Sequence, residues 1–373
     1  MKKKIEAKIV ADSVDNRGNR IITYLLTYPR MIHGELMTHR LFSRNSASSR
    51  AIPFKTMVKS IMDDPFIPIA WQKDHKGMQG VEYFTTSDID VCERIWRKAA
   101  QGACASAILM NSNIITKQLC NRLLEPYAWH TVLVTATEYD NFFDLRLPQY
   151  KLIGIGGEPA KSRKEWLDKM KYSSGLHLSD YPKTEEDWWK LSESGAEIHI
   201  QALAESMWDA KNESTPVELK EGEWHVPFGD KINNSRIWKI LGDQFGNRIP
   251  EPGQTTDNPV SQIEYSLAFW GTKIKIATAR AARLSYMTFD GEINYQKDIE
   301  LHNILLESKH FSPFEHCAKV MTNEEYHDFI KGRTDIETSN GFTITTEDQR
   351  GWCNNFKGFI QYRYLLENKY VLS

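Results

Sequence analysis

The chain has 373 residues, with 47 Lys and Arg against 49 Asp and Glu, so its formal net charge is −2 at pH 7. This near-balance excludes a general electrostatic attraction to nucleic acid or membranes, and any anion site must be local. The five cysteines show no CxxC pair and no zinc-type Cys/His spacing, which predicts reduced thiols and no metal centre. No apolar run approaches the about 20 residues of a spanning helix, and the start MKKKIEAK lacks the apolar region of a signal peptide. We therefore expect a cytoplasmic protein of one large domain or two ordinary ones.

The first half of the chain alternates strand and helix patterns. Residues 5–28 hold two β-rich runs around the turn signal DNRGN, which predicts a hairpin. From Ser87, the run DIDVCERIWRKAAQGACASAILM has the 3.6-residue period of a long buried helix, the expected spine of this half. A second helix over about 114–125 should stop at Pro126, and WHTVLVTATEY at 129–139 predicts a strand leading into NFFDLR.

The second half begins after a change in composition. Residues 148–192 turn polar and predict a surface insertion, and a helical period resumes at 195–208. The segment 246–260 is rich in Pro, Gly, Thr and Asn and predicts a linker, which divides the chain into parts 1–245 and 260–373. The second part contains two helical runs, a histidine-bearing turn HFSPFEH and an apolar, basic tail.

Hydrogen-bond donors are concentrated in the segment 37-MTHRLFSRNSASSRAIP-53. It holds three arginines, a histidine, an asparagine and a run of serines. Arginine forks suit phosphate or carboxylate oxygens, while serine and asparagine supply short hydrogen bonds. This composition favours a nucleotide phosphate site. The alternative is a solvated, hydroxyl-rich loop with surface arginines.

The stretch 39-HRLFSRNSASSR-50 resembles the signature Arg-His-Arg-x-x-Ser-x-Asn-x-x-Ser-x-Arg of flavin-dependent thymidylate synthases, with Thr38 in place of the first arginine. Four further blocks are similar to segments of that family: 122-RLLEP-126, 141-NFFDLR-146, 280-RAARLSY-286 and 310-HFSPFEH-316. In the family the Ser-Pro-Phe-Glu-His turn precedes the signature, whereas here it follows. The chain therefore resembles an enlarged, circularly permuted member, for which a phage-type variant is one option. The tail 355–367 has no place in this scheme, and its Gln361-Tyr362-Arg363 suggests partial duplication as the alternative.

The resemblance implies a fold and a reaction. The fold is α+β, a mainly antiparallel sheet flanked by helices. In the family, FAD, NADPH and methylenetetrahydrofolate together methylate dUMP at C5 to give dTMP, without a cysteine nucleophile. Family members are homotetramers whose sites draw residues from several subunits, so a homo-oligomer with shared active sites is expected.

The resemblance also implies substrate contacts and one catalytic residue. The substrate-binding positions are Glu35, Ser46, Ala47, Ser48, Ser49, Arg50 and Arg122. The run from Ala47 to Arg50 should wrap the phosphate with backbone N–H groups and the Arg50 fork. Glu35 stands where the family has glutamine, and Ser46 where it has glutamate. Arg146 is the expected catalytic residue, because a guanidinium against the pyrimidine edge stabilises negative charge and makes C5 nucleophilic; its alternative role is a structural ion pair.

Flavin contacts are implied at a further set of positions, namely Thr38, His39, Arg40, Asn45, Asn141, His310, Ser312 and Glu315. Thr38 removes an arginine that contacts the flavin in the family. Ser312 and Glu315 also fit a helix-start pattern with proline at the first position, so a capping role is the alternative for them. For His310 and His316 the alternative is a structural imidazole.

Two other functions stay open on the sequence. A near alternative keeps the fold and ligands but hydroxymethylates dUMP or dCMP. The second is a non-catalytic nucleic-acid-binding protein that uses Arg30, Arg40, Arg44 and Arg50 as a basic patch beside stacking aromatic residues. The near-neutral charge of the chain argues against nucleic acid as a partner.

Overall fold

A computed structural model describes residues 2–76, 82–84, 87–154, 156–171, 181–248, 260–284, 294–331, 336–337, 343–344 and 346–368. Its strands are β1 (Glu6–Val14), β2 (Arg20–Pro29), β3 (Ser43–Ser46), β4 (Trp129–Ala136), β5 (Val217–Glu218), β6 (Trp224–His225), β7 (Ala318–Val320), β8 (Ile336–Glu337), β9 (Thr343–Ile344), β10 (Trp352–Cys353), β11 (Phe356–Lys357) and β12 (Phe359–Gln361). Its α-helices are α1 (His33–Leu36), α2 (Phe54–Asp63), α3 (Ser87–Ser112), α4 (Lys117–Arg122), α5 (Asp140–Arg146), α6 (Arg163–Met170), α7 (Glu185–Leu191), α8 (Ile198–Glu213), α9 (Asn234–Phe245), α10 (Gln262–Ala282), α11 (Tyr295–Glu307), α12 (Asn323–Asp328) and α13 (Tyr362–Glu367).

A five-stranded sheet organises the chain, in the order β3-β4-β2-β1-β5. All of its pairs are antiparallel except β1 with β5. The predicted hairpin is confirmed, because β1 and β2 pair across a turn in which Gly18 has φ +83°, a conformation that glycine adopts without strain. The predicted strand at 129–139 is β4. The mixed α+β class with a mainly antiparallel sheet is therefore confirmed.

Both faces of the sheet are covered. Successive side chains of a strand point to opposite faces, so the even-numbered residues of β2, such as Tyr24 and Leu26, pack with residues of α5 and α8 in one buried cluster. The odd-numbered residue Thr23 points to the other face, where it meets His225 of β6. Strands buried on both faces explain why β2 and β4 are apolar almost throughout.

A second layer lies on that other face. It contains the small sheet β12-β7-β6 and a cluster of α9, α10, α11 and α13 around Ile274, Phe314 and Tyr362. The C-terminal tail, which had no place in the sequence scheme, supplies β12 and α13, and β12 pairs with β7. Strand β6 comes from the first predicted part of the chain and pairs with β7 from the second. The division at 246–260 stays a prediction, since 249–259 lie outside the described residues.

Helix α3 differs from the prediction of a buried spine. It forms, but its buried side chains are limited to the stripe Ala100, Cys104 and Ala107. On the opposite side, Val91 is 43% exposed, Ile95 62% and Leu109 65%. The helix is thus apolar on two faces, and the periodicity could not tell which face meets the rest of the chain.

Two other elements were predicted incorrectly. The block NFFDLR is helix α5 rather than a strand end, because Phe142 and Phe143 both enter the same buried cluster, which neighbouring residues of a strand cannot do. Helix α4 covers only Lys117–Arg122, and the chain then forms a 3₁₀ turn, Glu125–Tyr127, at Pro126. The predicted helices at 195–208 and in the second part are confirmed as α8, α10 and α11. No helix among the described residues is long and apolar enough to cross a bilayer.

Candidate active site

Strand β3 carries the donor-rich segment and is the terminal strand of the large sheet. Its alternation sends Ser43 and Asn45 toward the second layer and Arg44 toward the opposite face. Arg44 donates with Nη1 to the carbonyl oxygens of Met37 (3.0 Å) and His39 (3.1 Å). The predicted ligand contacts therefore fall into two groups, one on each face of β3 and both next to its free side.

The first group joins two motifs that are far apart in the chain. The Ser312 hydroxyl donates to Asn45 Oδ1 at 3.2 Å, and Asn45 Nδ2 donates to the carbonyl oxygen of Ala281 at 2.5 Å. Ser312 opens the 3₁₀ turn Ser312–Glu315, in which Pro313 occupies an initial position where its missing N–H is harmless. The helix-start alternative for Ser312 and Glu315 therefore describes their local structure, and Ser312 contacts Asn45 in addition. The signature and the Ser-Pro-Phe-Glu-His turn are brought together.

The tail completes this group, which sequence reasoning missed. Gln361 Nε2 and Asn355 Nδ2 each donate to the Ser43 hydroxyl at 3.0 Å, and Asn355 Nδ2 also donates to the carbonyl oxygen of Leu41 at 2.8 Å. Arg363 pairs with the Glu315 carboxylate at 2.5 Å. The signal in the sequence was the Gln361-Tyr362-Arg363 triplet. Its polar side chains hold the signature and the turn against each other.

The second group centres on His39 and Arg146. Arg146 Nε donates to His39 Nε2 at 3.4 Å, and the imidazole packs on Phe42 and edge-on to Phe142. Burial, with Arg146 and Arg44 nearby, lowers the pKa of His39 to about 4, so the ring is neutral at pH 7 and carries its proton on Nδ1. Within the described residues the two terminal nitrogens of Arg146 have no partner. A half-buried guanidinium is thus oriented through Nε with two donor groups still available.

Glu35 lies close to this arginine. Burial and the neighbouring Glu197 raise the pKa of the Glu35 carboxyl, whereas Arg146 lowers it. Glu197 was not predicted from the sequence. It caps α8, where its carboxylate accepts from the N–H groups of His199 (2.8 Å) and Ile200 (3.1 Å). Thr38 is exposed, and its hydroxyl donates to the carbonyl oxygen of Glu35 at 2.7 Å.

The segment predicted to bind phosphate forms a turn that hydrogen bonds attach to α4. Asn121, fully buried at the end of α4, donates with Nδ2 to the carbonyl oxygens of Ser49 (2.7 Å) and Ile52 (3.0 Å). The Ser49 hydroxyl donates to Glu125 at 2.5 Å. The N–H of Ala47 is used by the sheet, since it donates to the carbonyl oxygen of Thr131 at 2.9 Å. That N–H group is therefore not available to a phosphate, and phosphate binding by the turn from Ser48 onward stays a prediction.

Several predicted contacts lie exposed around these groups. Ser48 and Arg50 are exposed on the turn, Ser46 is half-buried at the end of β3, and Arg122 is exposed at the end of α4. Arg40, Asn141 and His310 are also exposed. Among the described residues, Arg40, Arg50 and Arg122 form no ion pair. Arg40 and Arg50 thus lie in the signature, and Arg122 lies at the end of α4, each without a described carboxylate partner. Asn121 links α4 to the turn that carries Arg50.

No family model matches the sequence, and no curated protein matches it. Two crystal structures of a UMP/dUMP methylase PolB from Streptomyces cacaoi are similar in part. For the one bound with 5-Br dUMP, the match is 14% identical, covers 46% of this chain and 88% of that chain, and has a TM-score of 0.33. For the one bound with 5-Br UMP it is 15% identical, covers 57% of this chain and 90% of that chain, and has a TM-score of 0.37. A likeness of this extent leaves the function to be argued from the site itself.

A cavity of about 920 Å³ lies elsewhere, between α9, α10, α11 and α13, and none of the predicted site residues lines it. His302 and Tyr362, which do line it, hydrogen bond at 3.1 Å behind the 3₁₀ turn. No group of three or more His, Cys, Asp or Glu side chains in the described part of the chain could hold a metal ion. The candidate site itself offers hydrogen bonding and positive charge beside β3.

Proposed function

We propose that the protein is a flavin-dependent, thymidylate synthase-like enzyme that methylates dUMP at C5, with methylenetetrahydrofolate as the one-carbon donor and NADPH as the reductant. The observation that carries this proposal is the contact between Ser312 and Asn45. Each belongs to a separate block of the family resemblance, and both are expected flavin contacts. Unrelated chance matches in two distant segments have no reason to meet at one hydrogen bond.

The residues present fit a flavin. Polar groups that suit the pyrimidine edge of an isoalloxazine lie together at Asn45 and Ser312, and an unpaired cation, Arg40, lies on the same segment. His39 adds a neutral imidazole packed between Phe42 and Phe142. FAD, when bound, would supply the reducing equivalents that convert the transferred carbon to a methyl group. Thr38 supplies no charge, and Arg40, two residues further along the chain, is an exposed cation of the same segment.

Arg146 is the residue that we propose for charge stabilisation. Its Nε is engaged by His39, which fixes the plane of the guanidinium and leaves the terminal nitrogens for the pyrimidine edge. A fixed cation there stabilises negative charge on the ring and so increases the nucleophilicity of C5. The role of a structural ion pair has no support, because Arg146 makes no salt bridge to a described carboxylate.

The phosphate of the nucleotide is proposed to bind at the turn after β3. Arg50 and Arg122 are exposed cations that pair with no carboxylate in the described part of the chain, and Asn121 holds the turn on α4 beside them. The N–H groups of Ser49 and Arg50 meet no acceptor among the described residues. Backbone donors and an arginine fork together match the oxygens of a phosphate monoester.

A second candidate, hydroxymethylation of dCMP or dUMP, would use the same site, and Glu35 bears on which of the two bases is bound. An ionised carboxylate only accepts hydrogen bonds, which suits the exocyclic amine of cytosine, whereas uracil presents an acceptor oxygen there. The raised pKa of Glu35 makes a protonated carboxyl more accessible, and that form can pair with either base. The base preference therefore depends on the protonation of this one group.

Assembly into a homo-oligomer is part of the proposal, because α3 carries a second apolar face. Val91, Ile95 and Leu109 line that face, opposite the buried stripe. Ile114, just beyond the helix, is 93% exposed and has φ +65°, an unfavourable conformation for a β-branched residue. The nucleic-acid alternative loses two of its four arginines, since Arg30 contacts His130 and Glu125 and Arg44 bonds to backbone.

The proposal is tested with the purified protein. Flavin absorbance and FAD titration come first, followed by incubation with dUMP or dCMP, methylenetetrahydrofolate and NADPH. Mass analysis of the nucleotide then separates a methyl from a hydroxymethyl product. A protein that binds no FAD contradicts the proposal, and salt-dependent binding of oligonucleotides without a flavin supports the nucleic-acid alternative instead.

A further inference from the structure

Five buried side chains from five segments form one hydrogen-bonded chain through the second layer. Its members, in order, are Ser13 of β1, His225 of β6, Thr23 of β2, Thr135 of β4 and His316, which follows the 3₁₀ turn. The distances are 2.9 Å from Ser13 Oγ to His225 Nδ1 and 2.8 Å for each of the other three contacts. None of the five is more than 6% exposed. These hydrogen bonds connect the end of the 3₁₀ turn Ser312–Glu315 to β1. Of the three long strands β1, β2 and β4, β1 lies farthest from β3.

Each hydroxyl has one hydrogen, so the chain has two satisfactory directions. In one, His225 donates from Nε2, Thr23 donates to Thr135, and Thr135 donates to His316 Nδ1. In the other, His316 donates from Nδ1 and every bond is reversed, so that His225 donates from Nδ1 to Ser13. If both rings donated to the threonines, one buried hydroxyl hydrogen would have no acceptor. If neither did, the two threonine oxygens would face each other at 2.8 Å without a hydrogen between them.

Both rings are neutral at pH 7, because burial lowers the pKa of His225 and of His316 to about 3. A neutral ring has one N–H, and the two directions therefore give both histidines the same tautomer, either Nδ1–H in both or Nε2–H in both. His316 Nε2 is buried and has no partner among the described residues. An orphaned N–H is rarer in proteins than an orphaned lone pair, which favours Nδ1–H for both rings in the protein alone.

We propose that these five side chains act as a relay that positions the 3₁₀ turn and couples the tautomer of His316 to that of His225. His316 is a positioning residue: Thr135 fixes its ring, and the ring fixes the end of the turn from which Ser312 contacts Asn45. An acceptor that approaches Nε2 of His316 selects the direction in which both rings carry Nε2–H, and thereby changes the ring of His225 as well. The inference rests on the four hydrogen bonds and is independent of the proposed reaction.

The test is ¹⁵N spectroscopy of the full-length protein labelled at histidine, with His225→Gln and His316→Gln used to assign the resonances. We expect both rings as Nδ1–H in the wild type. In Thr135→Val, which removes only the linking hydroxyl, the ring nitrogens of His225 should shift although no atom touching them has changed. Thr135→Ser keeps the hydroxyl and should restore the wild-type resonances.

The matched control is Thr131→Val. Thr131 pairs with Thr27 on the same two strands as Thr135 with Thr23, and on the same face, but the described structure gives it no histidine contact. This variant should leave both rings unchanged. Opposite tautomers for His225 and His316 in the wild type would overturn the relay, and that measurement requires no variant to fold. Equal spectra for Thr135→Val and Thr131→Val would overturn it too.

Discussion

The Ser312 hydroxyl donates to the Asn45 side chain at 3.2 Å although 267 residues separate the two in the chain. Asn45 lies on the terminal strand of the large sheet, and Ser312 opens the turn that the second layer places against it. The contact gives the proposed circular permutation a physical meaning. The proposed permutation predicts such a contact, because it changes the order of the motifs along the chain but not their positions in the fold.

We expect Ser312→Ala and Asn45→Ala each to weaken FAD binding, and the double variant to weaken it by less than the sum. Each change removes one partner of the same hydrogen bond, so the coupling should be about 1 kcal/mol. Fluorescence titration of FAD with the four proteins measures it. Ser308→Ala serves as the control, because among the described residues that hydroxyl donates to the carbonyl oxygen of Leu305 alone, at an exposed helix end. Strictly additive losses would show that the contact does not bear on the flavin.

Replacement of Arg146 should abolish most of the activity without loss of FAD binding. Arg146→Ala removes both terminal donor groups, and loss of one such electrostatic contact typically costs about 10²–10³ in kcat. Arg146→Lys should recover little, because lysine lacks the fork that His39 orients. Arg97→Ala is the control, since Arg97 is exposed and pairs with Glu93 one helical turn away. Wild-type turnover in Arg146→Ala would exclude the arginine from the chemistry.

Secondary structure was predicted correctly where the hydrophobic pattern of a segment fitted only one kind of element. The β1–β2 hairpin, β4 and helices α8, α10 and α11 follow from alternation or helical period together with turn residues. Helix α3 shows the limit: its two apolar faces give the same period whichever face is buried. The strand predicted at 129–139 was expected to lead into NFFDLR, and the shared buried cluster of Phe142 and Phe143 explains why that block is a helix instead.

The site was predictable only where the family resemblance reached. It supplied His39, Asn45, Arg146 and Ser312, and the structure brings these into the pairs His39–Arg146 and Asn45–Ser312. It could not supply Asn121, Asn355 or Gln361, because their roles are contacts to segments remote in the chain. The sequence around a single polar residue does not indicate which remote segment its side chain contacts.

Arg50 should contribute to recognition of the phosphate rather than of the base. Arg50→Ala is expected to raise the Kd for dUMP about tenfold, because a charge-assisted hydrogen bond contributes about 1.5 kcal/mol or more. The Kd for deoxyuridine, which has no phosphate, should change little. Calorimetry with both ligands gives the ratio. Arg17→Ala provides the comparison, since Arg17 pairs with Glu221 on another face of the chain. Equal losses for the two ligands would remove the phosphate from the proposal.

Stability should decrease as the solution is acidified through the range of the buried histidines. His225 and His316 have a pKa of about 3 when folded, against 6.5 ordinarily. Between these values the unfolded chain binds more protons, so the free energy of unfolding falls by about 1.4 kcal/mol per pH unit for each ring. Urea unfolding at pH 7, 6 and 5 measures the slope. His225→Gln should reduce this slope, because it removes one of the two rings whose folded pKa is lowered. A slope that His225→Gln leaves intact would assign the acid sensitivity to other groups.

The second apolar face of α3 should be an interface between copies of the chain. Leu109 is 65% exposed on the face opposite Ala100 and Cys104, at a position where an isolated chain would leave a large apolar side chain in water. Light scattering over a range of concentrations should show an oligomer for the wild type. Leu109→Glu should shift it toward the monomer, because a carboxylate buried in an apolar interface costs several kcal/mol. The matched control is Ile304→Glu, which places the same charge on α11, where Ile304 is 59% exposed. A monomeric wild type, or equal dissociation by both variants, would rule out α3 as the interface.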